Sequence, residues 1–382
     1  MPLHFDTTEY QRRREAAINR MHQLGLNGML LFKQESMYYL TGYDTFGFCF
    51  FQCLYLGADG RYFLLTRAPD WRQAMHTSDI EDIRIWIDGD GVNPMDDLAK
   101  GLGDYDAKGP LGCEYHAYGL SAALGKMLDA NIAAQWELID QSSLVSELRV
   151  VKSDAEVAFV RKAASLADDA MDAAIATAGP HVFEGDVLAA MQGAIFRGGG
   201  DYPGNEFIIG SGNGSLLCRY FSGRRTIASD DQLTLEYAGV YRHYHAALMH
   251  TFLVGKPHPE QVAMHQACSE AMEACLEKIK PGLPMGQVFD EHAKRLDRAG
   301  YREHRLNACG YSLGAMFTPT WMDYPMFYTN NPYIMQVNNV FFVHIMVMNA
   351  DTQRAMSIGQ TVRVSETGVE RLSRNSTELI CL

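Results

Sequence analysis

Ser153-Asp154-Ala155-Glu156 constrains this chain more than any other stretch. A Ser at the N-cap with a Glu three residues later satisfies two orphaned backbone N–H groups reciprocally, so a helix must begin here. The Ala-rich run behind it carries that helix to about Ala178. Residues before the cap read as strands alternating with helices, whereas residues after it carry a different order of elements. A domain boundary is therefore predicted just before the cap, giving an N-terminal domain over 1–152 and a C-terminal domain over 153–382. Two domains suit 382 residues, and each is long enough to bury its own core.

In the first domain, Ala17, Met21 and Leu24 recur at helical spacing over Tyr10–Leu24, and Gly25 stops the helix. Met29–Phe32 is a short apolar strand. Gln52–Leu56 and Arg61–Thr66 flank Gly57-Ala58-Asp59-Gly60, a hairpin signal. Ile85–Ile87 and Pro110–Cys113 add strands, and Ser121–Ala130 a helix. The pattern is α/β. The second domain is predicted as α+β: a helix over Glu184–Arg197, glycines at 198–200, and a strand over Glu206–Ser211. A strand pair over Gln232–Tyr237 and Arg242–Leu248 comes next. Helices at Pro259–Ile279 and Met285–Ala299 then precede strands at Val340–Met348 and Gln360–Glu366.

Several function classes are excluded by composition. A net charge of −13 argues against nucleic acid and against a polybasic membrane contact. No apolar run approaches the ~18 residues that span a bilayer, and no signal-like segment opens the chain, so a cytoplasmic protein is expected. Eight cysteines lack the density of a disulfide scaffold, and Cys49 and Cys53 have no second pair to complete a zinc site. The glycines around 198–214 are not followed by Gly-Lys-Ser/Thr, so no phosphate loop is present. No cofactor is expected.

The order of several short signposts resembles the creatinase, prolidase and methionine aminopeptidase family. They are Leu148-Arg149-Val150-Val151-Lys152-Ser153, Ile209-Gly210-Ser211-Gly212-Asn213, Thr251-Phe252-Leu253-Val254-Gly255, Pro281-Gly282 and Thr367-Gly368-Val369-Glu370-Arg371-Leu372. The resemblance implies a "pita-bread" C-terminal domain behind a creatinase-like N-terminal one. It also implies a homodimer in which Tyr43-Asp44-Thr45-Phe46-Gly47-Phe48 contributes to the partner's site. Peptidases of the family hold two metal ions with five ligands. Carried onto this chain, those positions fall on Glu236, Ala247, Tyr311, His344 and about Gly359. One carboxylate beside Ala and Gly cannot hold two cations, so no metal is expected.

Creatinase is the family's familiar metal-free hydrolase, but its catalytic His position falls here on Arg219. Leu217-Cys218-Arg219-Tyr220, Gly223-Arg224-Arg225, Leu233-Thr234-Leu235-Glu236, Tyr241-Arg242-His243-Tyr244-His245-Ala246 and Gly310-Tyr311-Ser312-Leu313-Gly314 together resemble the ectoine hydrolase branch. That branch opens a cyclic amidine to N-acetyl-diaminobutyrate without metal. The alternatives are a creatinase-like amidinohydrolase, an Xaa-Pro peptidase relative, or a catalytically inactive binding module.

A zwitterionic small-molecule substrate needs a negative group beside its amidinium, a cation for its carboxylate and a proton carrier. Glu236, between Leu235 and Tyr237, supplies the first, as partner or nucleophile. Arg219 suits the carboxylate, which a guanidinium binds bidentately. By alternation His243 and His245 are predicted to share one strand face with Tyr241 and Ala247, and one of them to activate water. The bland reading is that both are hydrogen-bonded core residues. His344 interrupts an apolar strand at a former ligand position and is a third candidate. Tyr311 and Trp321 are predicted to line the pocket, with Trp321 stacking on the amidinium for roughly 0.5–2 kcal/mol.

Overall fold

The computed structural model describes residues 3–219 and 223–382, so Tyr220 of the Arg219 motif lies outside the described residues. The chain divides into two compact units between Arg149 and Val150. That is three residues before the predicted boundary, for a physical reason. Val150 is buried, Val151 bridges Asn339, and the Lys152 ammonium donates to Ser312 Oγ at 3.3 Å, so all three residues are tied to the second unit ahead of the cap.

The first unit runs α1 (Thr7–Gln23), β1 (Gly28–Leu31), α2 (Gln34–Thr41), β2 (Cys53–Gly57), β3 (Tyr62–Arg67), α3 (Ala68–Thr77), β4 (Ile83–Trp86), α4 (Pro94–Asp104), β5 (Leu111–Cys113), α5 (Ala122–Asn131), β6 (Leu138–Asp140) and α6 (Leu144–Leu148). Its sheet has the order β4-β3-β2-β1-β5-β6 among the described residues. The β2–β3 pair is the expected hairpin, while β1–β5, β5–β6 and β3–β4 are parallel. Two apolar cores form, one including Met21, Leu31, Met37, Leu40 and Leu54, the other Leu30, Phe63, Leu98, Leu111 and Leu128. Helices α2, α3 and α4 are not among the elements expected from the sequence. α2 is buried on nearly every side and so lacks amphipathic spacing.

The second unit runs α7 (Asp154–Thr177), α8 (Glu184–Arg197), β7 (Ile208–Ser211), β8 (Asp231–Tyr241), β9 (Tyr244–Val254), α9 (Pro259–Lys278), α10 (Gly286–Arg298), β10 (Gly310–Ser312), β11 (Asp323–Met326), β12 (Val340–Asn349), β13 (Arg354–Val364) and β14 (Val369–Arg371). The expected capping box forms: Glu156 N–H donates to Ser153 Oγ at 3.3 Å, and Ser153 N–H to Glu156 Oε2 at 2.9 Å. The sheet order is β11-β10-β12-β13-β9-β8-β7, with β14 on β13.

Helices cover one face of this sheet. Tyr237 donates its hydroxyl proton to the Ala167 carbonyl of α7, and a Cβ on Gly239 would sit 2.1 Å from the Ala163 carbonyl oxygen, so β8 and α7 touch backbone to backbone. Val343, Ile345, Val347, Met356 and Ile358 join α9 and α10 in one core. Strand residues alternate in direction, so Glu236 on β8, Met249 on β9, Gly359 on β13 and His344 on β12 point away from these helices.

One strand expectation is corrected by the structure. The sequence pattern places Arg242 and His243 inside a strand, but they form the two-residue turn joining β8 to β9, with φ of 50° and 65°. Such a turn matches the twist of the flanking strands and requires positive φ at both positions. Neither residue type signals it, so the sequence reads as continuous strand.

Candidate active site

Strand register assembles the site. Directly opposed residues in an antiparallel pair share a face. Glu236 opposes Met249, Met249 opposes Gly359, Gly359 opposes His344, and Phe342, two residues before His344, opposes Tyr311. Glu236, Ala247, Gly359, His344 and Tyr311 therefore share the face turned away from the helices. That pairing also fixes Gly359 as the residue opposite His344.

A pocket of about 180 Å³ opens on this face. Glu236, His344, Tyr311, Trp321 and Arg219 all line it, together with Asn205, Cys218 and an apolar wall of Ile208, Leu306, Ala308, Met322, Met326 and Met346. Water needs roughly 10–15 Å³ of such volume each, so there is room for a small molecule.

Glu236 is buried, and its carboxyl sits well above the ordinary carboxylate range, at about 7. Burial is the dominant cause, opposed by a hydrogen bond from Tyr311 and by the charge of Arg219. The Tyr311 hydroxyl donates to Glu236 Oε1 at 3.4 Å, and the Trp321 indole N–H donates to the Tyr311 oxygen at 2.8 Å. Burial and the neighbouring carboxylate raise the Tyr311 hydroxyl far above its usual value, so it remains a donor. Among the described residues no hydrogen bond engages Oε2 of Glu236, and Glu236 lines the pocket.

His344 is buried as well, and burial lowers its pKa to about 4, so the imidazole is neutral near pH 7. Its Nδ1 is shielded from solvent and has no hydrogen-bond partner among the described residues. An orphaned buried ring nitrogen costs about 1–3 kcal/mol. Arg219 reaches the pocket from an exposed turn and has no ion pair among the described residues.

The two remaining histidines are not among the lining residues. His243 occupies the β8–β9 turn instead of the expected strand face, and its ring stacks on Phe317 with centroids 4.2 Å apart. His245 does point to the site face, but both its nitrogens are occupied. Nε2 accepts the Gly204 N–H at 2.9 Å and Nδ1 lies 3.3 Å from the Gly314 carbonyl. Burial lowers its pKa to about 4. Asn205 carries no signal in the sequence, yet its Oδ1 accepts the Trp321 backbone N–H at 3.2 Å. No motif marks an Asn for that task.

Two of the five former ligand positions retain a metal-binding side chain, Glu236 and His344. The Tyr311 hydroxyl is committed to Trp321 and Glu236. At Gly359 even a Cβ would lie 2.6 Å from the Phe342 ring and 2.9 Å from the Met249 Cβ, so no carboxylate fits there without rearrangement. No cluster of three or more His, Cys, Asp or Glu side chains suited to a metal occurs among the described residues. One carboxylate and one imidazole do not fit the five-ligand, two-metal centre.

Comparison with known proteins gives matches over most of the chain. Residues 158–366 match metallopeptidase family M24, and residues 13–151 match the creatinase/prolidase N-terminal domain. An ectoine hydrolase of Halomonas elongata is 25% identical over 400 residues, covering 97% of this chain and 96% of the relative. An uncharacterized hydrolase/peptidase of Sinorhizobium fredii is 25% identical over 394 residues, covering 99% and 98%. Among solved structures, an Xaa-Pro dipeptidase from Bacillus anthracis superposes with a TM-score of 0.85 at 20% identity, covering 98% of this chain and all of that one, a likeness of fold. No helix among the described residues is long and apolar enough to cross a membrane.

Proposed function

This chain belongs to metallopeptidase family M24, with a creatinase/prolidase domain at its N-terminus, and on that premise we propose a metal-independent hydrolase that opens the cyclic amidine of ectoine or hydroxyectoine to an N-acetyl-diaminobutyrate. The observation that carries this reading is one pocket holding a carboxyl group poised near neutrality, Glu236, and an unpartnered neutral imidazole, His344. The ectoine hydrolase relative supports the same substrate.

Each residue takes one part of the chemistry. The cationic amidinium favours ionised Glu236, whose Oε2 pairs with it. Arg219 takes the substrate carboxylate, fixing the ring's orientation. A water attacks the amidine carbon, and its proton passes to the His344 imidazole. As the carbon–nitrogen bond breaks, His344 returns that proton to the departing ring nitrogen. The amidine carbon keeps its methyl group and its bond to the second ring nitrogen and becomes an acetamide carbonyl, while the departing nitrogen becomes a free amine.

Incubating the purified chain with ectoine and following N-acetyl-diaminobutyrate by mass spectrometry tests this directly. Product should form equally with and without a chelator. Absence of product at high enzyme concentration removes the substrate assignment. Cleavage of Xaa-Pro dipeptides dependent on added manganese would replace it with a peptidase. Turnover of creatine would point to an amidinohydrolase.

A further inference from the structure

We propose that His245 is a positioning residue, which clamps the Gly204–Asn205 loop to the end of β10 and so holds the Trp321–Tyr311 chain that orients Glu236. The tautomer is dictated by the partners. The Gly204 N–H can only donate, so Nε2 accepts, and a neutral ring then carries its proton on Nδ1, facing the Gly314 carbonyl. The same carbonyl also accepts the His245 backbone N–H at 3.2 Å. One side chain thus joins two segments distant in sequence.

Both segments lead to Glu236. Gly204 lies against the backbone of Thr320 and Trp321, where an added Cβ would come within 2.7 Å of the Thr320 carbonyl oxygen. The next residue, Asn205, holds the Trp321 backbone N–H. The Trp321 indole N–H then fixes the Tyr311 oxygen, which leaves the Tyr311 proton to point at Glu236 Oε1. Gly314 is two residues beyond β10, the strand that carries Tyr311. Burial keeps His245 neutral over the working range, so the clamp does not open near pH 7. An imidazole bound at both nitrogens has none left for a substrate proton. This inference rests on Glu236 being the reacting carboxylate.

The test uses the full chain with 15N-labelled tryptophan. The Trp321 indole N–H signal is identified by its disappearance in Trp321→Phe, and its exchange with solvent deuterium is followed without substrate. His245→Ala removes the clamp, so exchange should quicken about tenfold, as expected for the loss of a net hydrogen bond. His245→Gln offers an amide oxygen to Gly204 and an amide N–H to Gly314, so exchange should stay within about threefold of wild type. In ectoine turnover, His245→Ala should lower kcat by about 10- to 100-fold, with KM moving less, and His245→Gln should recover most of it. Unchanged indole exchange in His245→Ala overturns the clamp, as does fast exchange in His245→Gln. So does a His245→Gln enzyme with native exchange but kcat as low as that of Glu236→Gln, since the imidazole itself would then be moving protons. If His245→Ala does not fold, His245→Gln alone decides. If wild type leaves ectoine intact, the substrate reading fails and the exchange rates still decide the clamp.

Discussion

At Glu236 the competing effects can be ranked. Burial opposes ionisation, while one hydrogen bond and one guanidinium favour it, and burial wins by enough to bring the group to about 7. For kcat/KM, an acidic limb near pH 7 should result, because the free enzyme must shed this proton before it pairs with a cation. Glu236→Gln should lower kcat by about 10²–10³, the loss typical of one transition-state electrostatic contact. Stability should move the other way. A carboxyl raised in the folded state contributes stability below its ordinary value near 4.5, and that contribution is lost as pH rises through about 7. Glu236→Gln does not titrate, so it should melt above wild type at pH 8, by up to about 3 kcal/mol, and alongside it near pH 4.5. Melting curves at the two pH values check the sign. A variant melting lower at pH 8, with near-normal turnover, would make Glu236 a structural carboxylate. Glu236 stands out in the sequence because a carboxylate between apolar strand residues is rarely solvated. Asn205 does not, because its role depends on the loop that brings it to Trp321.

Legibility at the scale of elements tracks local signals. The reciprocal capping box and the Glu184–Arg197 helix appear where the sequence predicts them, since propensity and caps act within a few residues. The β8–β9 turn is invisible to such reading because Arg-His is not the Asn-Gly or Asp-Gly pair that announces positive φ. That turn moves His243 from a strand face to a hairpin tip. His243→Asn tests the corrected placement, since Asn tolerates left-handed backbone better than most residues. Turnover should stay within about twofold of wild type, in keeping with ±0.5 kcal/mol for a change outside the pocket. A loss near a hundredfold would restore His243 as a proton carrier. The shared face of Glu236, Gly359, His344 and Tyr311 arises from pairings across β8, β9, β13, β12 and β10. Such long-range register lies beyond local periodicity, and the family resemblance has to supply it.

For the whole molecule, buried histidines divide unevenly between the two units. His245, His250, His292 and His344 all belong to the second unit, and burial depresses each, three to about 4 and His292 to about 3. A depressed imidazole stays neutral in the fold while the unfolded chain takes up protons below about 6.5, so stability falls as pH drops from there towards 4. Each group contributes up to roughly 3 kcal/mol across that window, against a single opposing carboxyl, Glu236. Calorimetry from pH 7.5 to 5 should therefore show the transition of the second unit moving steeply down. A transition that stays in place would mean these rings protonate without loss of the fold.

Gly359 bears on what it would take to build a five-ligand, two-metal centre on this sheet. Restoring Asp at Ala247 and Glu at Gly359 would supply ligand chemistry on paper, yet the Phe342 ring and the Met249 Cβ already fill the volume that a side chain at 359 would enter. Overpacking of that kind costs about 1–3 kcal/mol before any ion binds. Building such a centre is then a question of space as much as of ligands. Phe342 would have to shrink first, and a design that mutates ligands alone should give a less stable protein that does not hold a pair of metal ions.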